Sequence, residues 1–219
     1  ESCWIKQKCI RENIDIETKD YTFAPKAPVK WRTNPNEWLT SIDIIKVMKQ
    51  YEKKYRCFDF IGPSPIDYDH HKMYGECVWE ELCNFNLDKL LKRNLNKIGI
   101  IFNLDPHYKG GSHWVSLFID IKAKAIYYFD SVGEKIPRQI KKFCKKVQSQ
   151  ATLLGIELNF DEIHPHEHQK EDTECGIYSL YFITNMIKSV KSWDTIFKKG
   201  TISDDEMTKY RKVYFNTVY

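Results

Sequence analysis

The chain has no apolar run near the ~20 residues needed to span a bilayer, and no signal peptide is visible, so no membrane contact is expected. It has no phosphate-binding loop, since Gly110 and Gly111 stand alone as a pair and read as loop flexibility. Its seven cysteines (Cys3, Cys9, Cys57, Cys77, Cys83, Cys144 and Cys175) form no Cys-x-x-Cys pair. That spacing and the odd number favour a reduced, intracellular chain. The sequence also lacks His-Glu-x-x-His. "HPHEH" (164–168) and "HH" (70–71) have no cysteine pair to complete them, so they read as solvated loops and no metal is expected. Excess charge of either sign is small: 34 basic against 30 acidic residues give +4. This permits contact with acidic surfaces but does not argue for nucleic-acid binding. There is no internal repeat and no low-complexity segment. The chain opens on Glu1 rather than Met, which is compatible with a longer parent protein.

What is present is enough apolar surface for a sizeable core: 42% hydrophobic and 14% aromatic residues over 219 positions. Residues 1–30 are mixed and end in "FAPKAPVK", an extended connector set by Pro25 and Pro28. The expected division is therefore an arm over 1–30 and a core over 31–219. Thr40 or Ser41 can cap a helix lined by Ile44, Ile45, Met48 and Tyr51. Residues 61–72 read as a proline-rich loop, and 78–95 as a helix weakened by Asn84 and Asn86. "IGIIF" (98–102), "HWVSLFIDI" (113–121) and "AIYYF" (125–129) read as strands. The second is apolar on both faces, hence central. The short link 122–125 makes it an antiparallel neighbour of the third. Residues 134–155 predict an amphipathic helix stopped by Gly155, 156–163 a strand, and 175–190 a buried helix. Ser203 can cap a last helix, with Glu206 three residues on, as in a capping box. This order predicts an α+β fold with a central mixed or antiparallel sheet flanked by helices.

Cys175 stands where a hydrophilic loop gives way to an apolar helix. A thiol at a helix N-terminus feels a partial positive charge that favours thiolate, the nucleophilic form. Gly176 would let a substrate backbone approach. Taken alone, a buried structural cysteine is the commoner outcome. A cysteine nucleophile needs a base, and His113 opens the central strand beside "KGGS". Asp130 ends the neighbouring strand. Antiparallel pairing through the short link puts His113 and Asp130 side by side, as a base and the group that orients it must be. The Cys175 N–H and the Gln169 side chain are candidate oxyanion donors.

The set "HW" (113–114), "YYFDS" (127–131) and "Q-x5-C-G" (169–176), in the order His, Asp, Gln, Cys, resembles the ubiquitin-like-protein proteases, the superfamily of the SUMO proteases and the adenovirus protease. "EWLTSIDI" (37–44) is similar to the start of the SUMO-protease catalytic domain. "KGGSHWVSLFIDI", "QKEDTECGIYSLYFI" and "ISDDEMTKYRKVYF" resemble the polyprotein-processing cysteine proteases of the African swine fever virus type. The resemblance implies a papain-like, adenain-type cysteine protease core with Cys175 as nucleophile, His113 as base, Asp130 as orienter and Gln169 at the oxyanion. It implies no cofactor and no metal. It further implies a viral polyprotein substrate cut after Gly-Gly-X-type sites, in the host cytoplasm and the virion, with Trp114 as lid over a narrow glycine-fitting tunnel. Asn103 is a candidate substrate contact. Removal of ubiquitin or ubiquitin-like modifiers stays open as an alternative with the same triad, as do acetyl transfer and a catalytically dead binding fold. Lys135, Arg138, Lys141, Lys142, Lys145 and Lys146 make a basic helix face. The wet side of an amphipathic helix is the plain reading; weak DNA contact through Lys141, Lys142, Lys145 and Lys146 is the sharper one.

Overall fold

Five strands form one sheet that is apolar on both faces, and helices close each face. The computed structural model describes residues 24–216. In chain order the strands are β1 (Phe58–Pro65), β2 (Lys97–Asn103), β3 (Trp114–Asp120), β4 (Ala125–Phe129) and β5 (Asn159–Glu162). Among the described residues the α-helices are α1 (Ser41–Lys54), α2 (Glu80–Cys83), α3 (Leu87–Lys92), α4 (Arg138–Leu153), α5 (Cys175–Lys188) and α6 (Asp204–Tyr214). Strand order follows the chain, β1-β2-β3-β4-β5, with parallel pairing at both edges and antiparallel pairing in the middle. The α+β, mixed-sheet expectation is met. No helix among the described residues is long and apolar enough to cross a membrane. The expected 1–30 arm lies mostly outside the described residues; its end, near Ala27, hydrogen-bonds to Asn216.

Alternation along β3 explains the two layers. Val115, Leu117 and Ile119 join a core with Ile140, Phe143 and Val147 of α4. Trp114 and Phe118 point the other way, into a core with α1, α5 and α6. All of α5 from Cys175 to Thr184 is buried, which is why its sequence carries almost no polar stripe.

Three sequence readings change. Residues 61–65 belong to β1 rather than to a loop. Pro63 and Pro65 hid it, but β1 is an edge strand, where the missing N–H groups cost no ladder bond. The helix expected over 78–95 is two short helices, split at Asn84–Asn86, and Asn86 caps the second by accepting from Lys89 N–H. The strand expected over 156–163 shrinks to four residues. Of the two cap candidates, Thr40 caps α1, with Asp43 closing the capping box.

A buried ion pair fastens the N-terminus of α5. Glu174 (1% exposed) accepts from Arg211 (4% exposed) of α6 through Nε at 2.9 and 3.0 Å. Arg211 also donates to the carbonyls of Glu37 (2.8 Å) and Thr173 (3.3 Å) and lies over the Trp31 ring at 4.6 Å. Burial pushes the Glu174 carboxyl up by more than Arg211 pulls it down. Removing one partner strands the other charge, so Arg211→Ala is expected to cost about 3–5 kcal/mol. Denaturant unfolding checks this; a wild-type midpoint in Arg211→Ala contradicts it.

Candidate active site

Three elements converge at one end of the sheet. The β3–β4 register pairs Ser116 with Phe129. Continued one step, it sets Asp130 across from Val115, on the same face as His113. The His113 Nε2–H accordingly donates to Asp130 Oδ1 at 2.7 Å. Asp130 is 1% exposed, and its Oδ1 also accepts from Val132 N–H at 3.1 Å. The turn that makes this possible ends at Gly133, whose φ of +73° is left-handed and where a Cβ would meet the His166 carbonyl at 2.8 Å.

Cys175 is the first residue of α5 and is buried at 2%. Its thiol neighbours the His113 ring closely enough to raise that ring's pKa. Burial pulls His113 down, but hydrogen bonds to Asp130 and Cys175, and the charges they carry, outweigh it and push His113 up to about 10. The imidazolium is therefore the favoured form beside the thiol.

Gln169 is buried, and Ser131 holds it in place. Ser131 Oγ–H donates to Gln169 Oε1 at 2.6 Å, and the Ser131 carbonyl accepts from Gln169 N–H at 2.8 Å. The amide NH2 donates one hydrogen to the Glu171 carbonyl and keeps the other. Ser131 was within the "YYFDS" motif but had no expected role; its fit to Gln169 spans 38 residues and no local pattern signals it.

Trp114 Nε1–H donates to the Leu39 carbonyl at 3.1 Å. Trp114, Leu39 and Asn103 line a cleft of about 670 Å3. Asn103 spends its Oδ1 on Asp105 N–H (2.9 Å) and Ser112 N–H (3.2 Å), so it holds the loop before His113 while its side chain borders the cleft. The structure gives Gly176 a reason other than substrate approach: a Cβ there would lie 3.0 Å from Leu39 Cβ.

The histidine-rich loop is structural. His164, His166 and His168 each bond a backbone carbonyl, of Gly133, Gly200 and Phe197. His168 is buried and also accepts from Ile202 N–H at 3.0 Å, so it is neutral. Burial, then the neighbouring His166, lower it to about 4. The basic face of α4 is partly spent: Lys142 pairs with Asp69 at 2.7 Å, and Lys146 donates to the Cys83 carbonyl at 2.6 Å. "HH" is corrected too, because Cys77 and Cys83 do come to lie beside His71. The two cysteines are joined as a disulfide, against the expectation that all thiols are free.

The profile of the Ulp1 protease family, C-terminal catalytic domain, matches residues 44–219. The chain belongs to this family of cysteine proteases. It is 36% identical over 195 residues to a putative thiol protease of Acanthamoeba polyphaga mimivirus, covering 89% of this chain and 60% of that protein. The chain thus spans under two thirds of that relative's length. It is 28% identical over 221 residues to the SUMO-1 cysteine protease S273R of African swine fever virus, covering 97% of this chain and 77% of the relative. The crystal structure of that virus's pS273R protease superposes with a TM-score of 0.73 at 24% identity, covering 100% of this chain and 83% of the other. The Ulp1 protease domain in complex with SMT3, the yeast ortholog of SUMO, shares the fold at TM-score 0.56 and 18% identity, with 91% and 92% covered.

Two pH effects follow. The His113 ring signal in an NMR titration is expected to move near pH 10, and at lower pH in Asp130→Asn and in Cys175→Ala. A wild-type midpoint near the ordinary ~6.5 contradicts the geometry. Because the folded value is raised, this contribution to stability is full below about 6.5 and lost as pH rises through about 10. His168 has the opposite sign: its contribution is full above about 6.5 and lost as pH falls toward about 4. Wild type is expected to lose stability over that window more steeply than His168→Gln; parallel curves contradict it.

Proposed function

We propose that the chain is a cysteine endopeptidase acting on viral structural polyproteins after small-residue sites of the Gly-Gly-X type. The observation that carries the chemistry is His113 held between Asp130 at 2.7 Å and the Cys175 thiol. In this reading Cys175 Sγ attacks the scissile carbonyl carbon. His113, holding the thiol proton as imidazolium, delivers it to the leaving amine. Asp130 keeps the ring oriented and stabilises its charge. The negative oxygen of the tetrahedral intermediate takes hydrogen bonds from the Cys175 N–H and the free Gln169 amide hydrogen. His113 then draws a proton from water, which hydrolyses the thioester and frees Cys175. No cofactor enters these steps. Trp114 and Leu39, tied to each other by a hydrogen bond and with Leu39 packed against Gly176, are the residues that would select glycine in this reading. The setting is the infected host cytoplasm and the virion.

The SMT3 complex of a fold relative favours a second reading, removal of ubiquitin-like modifiers, whose tails the same chemistry would cut. Fluorogenic SUMO and ubiquitin adducts separate the two readings: hydrolysis of an adduct at a rate far above that of Gly-Gly peptides favours the second. The spent Lys142 and Lys146 weaken the DNA reading; Lys141 and Lys145 remain for it.

Cleavage of a Gly-Gly-containing peptide is expected to fall by at least ~1000-fold in Cys175→Ala. Gln169→Ala is expected to lower kcat by ~100-fold or more with KM nearly unchanged. Equal turnover in wild type and Cys175→Ala removes Cys175 as nucleophile.

A further inference from the structure

Residues 68–79 form a hairpin outside the proposed catalytic group. Trp79 N–H donates to the Tyr68 carbonyl (3.0 Å), Val78 to His70 (2.9 Å) and Lys72 to Glu76 (2.8 Å). Met73 and Tyr74 at its tip are 81% and 95% exposed. His71 and Cys77 are bridge partners across it. Cys83, the last residue of α2, comes up beneath them. The three give His-x5-Cys-x5-Cys, and their ligand atoms lie within 4.8 Å of one another.

The His71 Nε2 to Cys77 Sγ distance is 3.5 Å. Two such atoms on one tetrahedral zinc, at ordinary bond lengths, are ~3.6 Å apart. A disulfide alone needs no imidazole aimed at its sulfur. The backbones that carry the sulfurs are fixed as well: Glu80 Oε1 accepts from Cys77 N–H at 2.9 Å, and Lys146 holds the Cys83 carbonyl at 2.6 Å. Cys57, Cys144 and Cys175 are free thiols. A compartment that keeps a nucleophilic Cys175 reduced disfavours disulfides, and Cys83 of this pair is half-buried rather than enclosed. That last point borrows the peptidase reading; the geometry does not.

We propose that His71, Cys77 and Cys83, with both thiols reduced, form a zinc site that pins the 68–79 hairpin at the rim of the cleft lined by Trp114, Leu39 and Asn103. A thiol reductant of the glutathione class, two molecules per disulfide, gives two Cys–SH and is itself oxidised to its disulfide. Zinc then displaces two protons from the thiols and takes the lone pair of neutral His71 Nε2, forming two Zn–S bonds and one Zn–N bond. Water fills the fourth position. The site matters to the cleft because Lys72, Val78 and Trp79, which flank these ligands, form part of its wall.

The test uses the full chain carrying Cys175→Ala, so that the proposed nucleophile cannot bind metal. The protein is reduced with a phosphine, freed of oxygen and titrated with Co2+ and then Zn2+. The expected result is one metal per chain, a thiolate-to-cobalt charge-transfer band that zinc displaces, and two protons released. Cys77→Ser with Cys83→Ser is expected to abolish the band. His71→Ala, at an exposed position that folding tolerates, is expected to weaken metal binding by at least about tenfold. Absence of a band in protein with wild-type circular dichroism overturns the proposal. So does a band that survives loss of both cysteines, or intact mass showing the disulfide re-formed in the presence of excess zinc. None of these readouts is turnover, so the metal site and the peptidase activity fail separately.

Discussion

The site depends on the register between β3 and β4. The four residues Ile121–Lys124 between them leave one antiparallel arrangement, and it sets Ser116 against Phe129. His113 and Asp130 then meet at the end of the pair, with no loop needed to bring them together. A slip by one residue would turn every side chain of the strand over and send His113 to the opposite face. The register is protected because both faces of β3 are buried in different cores. Packing energy that belongs to the fold therefore also guards the geometry of the site.

The thiol comes from another layer and is positioned by polar contacts instead. Helix α5 is buried almost all round, so its apolar contacts fix where it lies. Its N-terminus is tied by Glu174 to Arg211 and, through Arg211, to Glu37 and Trp31. The preceding loop is tied by His168 to Phe197 and Ile202, and by Ser131 to Gln169. Each of these buried groups has a hydrogen-bond partner, and only one Gln169 amide hydrogen is left over. The positive ring of His113 is stabilised in the same surroundings by two negative or polarisable neighbours.

Much of this was legible in the sequence where the signal was local. Period-two alternation gave the strands, a short link gave the pairing of His113 with Asp130, and an apolar run after a polar loop placed Cys175 at a helix start. What sequence reading missed was decided by distant partners. β1 was hidden because its prolines are acceptable only at a sheet edge, and edge position is a property of the whole sheet. Ser131 and Lys146 have their partners 38 and 63 residues away. Gly176 reads as an opening toward substrate until Leu39 is seen to occupy the space. "HH" reads as a loop until a hairpin and a one-turn helix deliver Cys77 and Cys83 to it.

The reactivity proposed for Cys175 rests on His113, set by the β3–β4 register. The most direct measurement is the alkylation rate of Cys175 at neutral pH, followed by peptide mass analysis in wild type and His113→Ala. Comparing one cysteine with itself cancels its burial, and Cys57 serves as internal reference. His113→Ala is expected to slow alkylation of Cys175 by at least about tenfold and to leave Cys57 unchanged. Equal rates at Cys175 in the two proteins would contradict it.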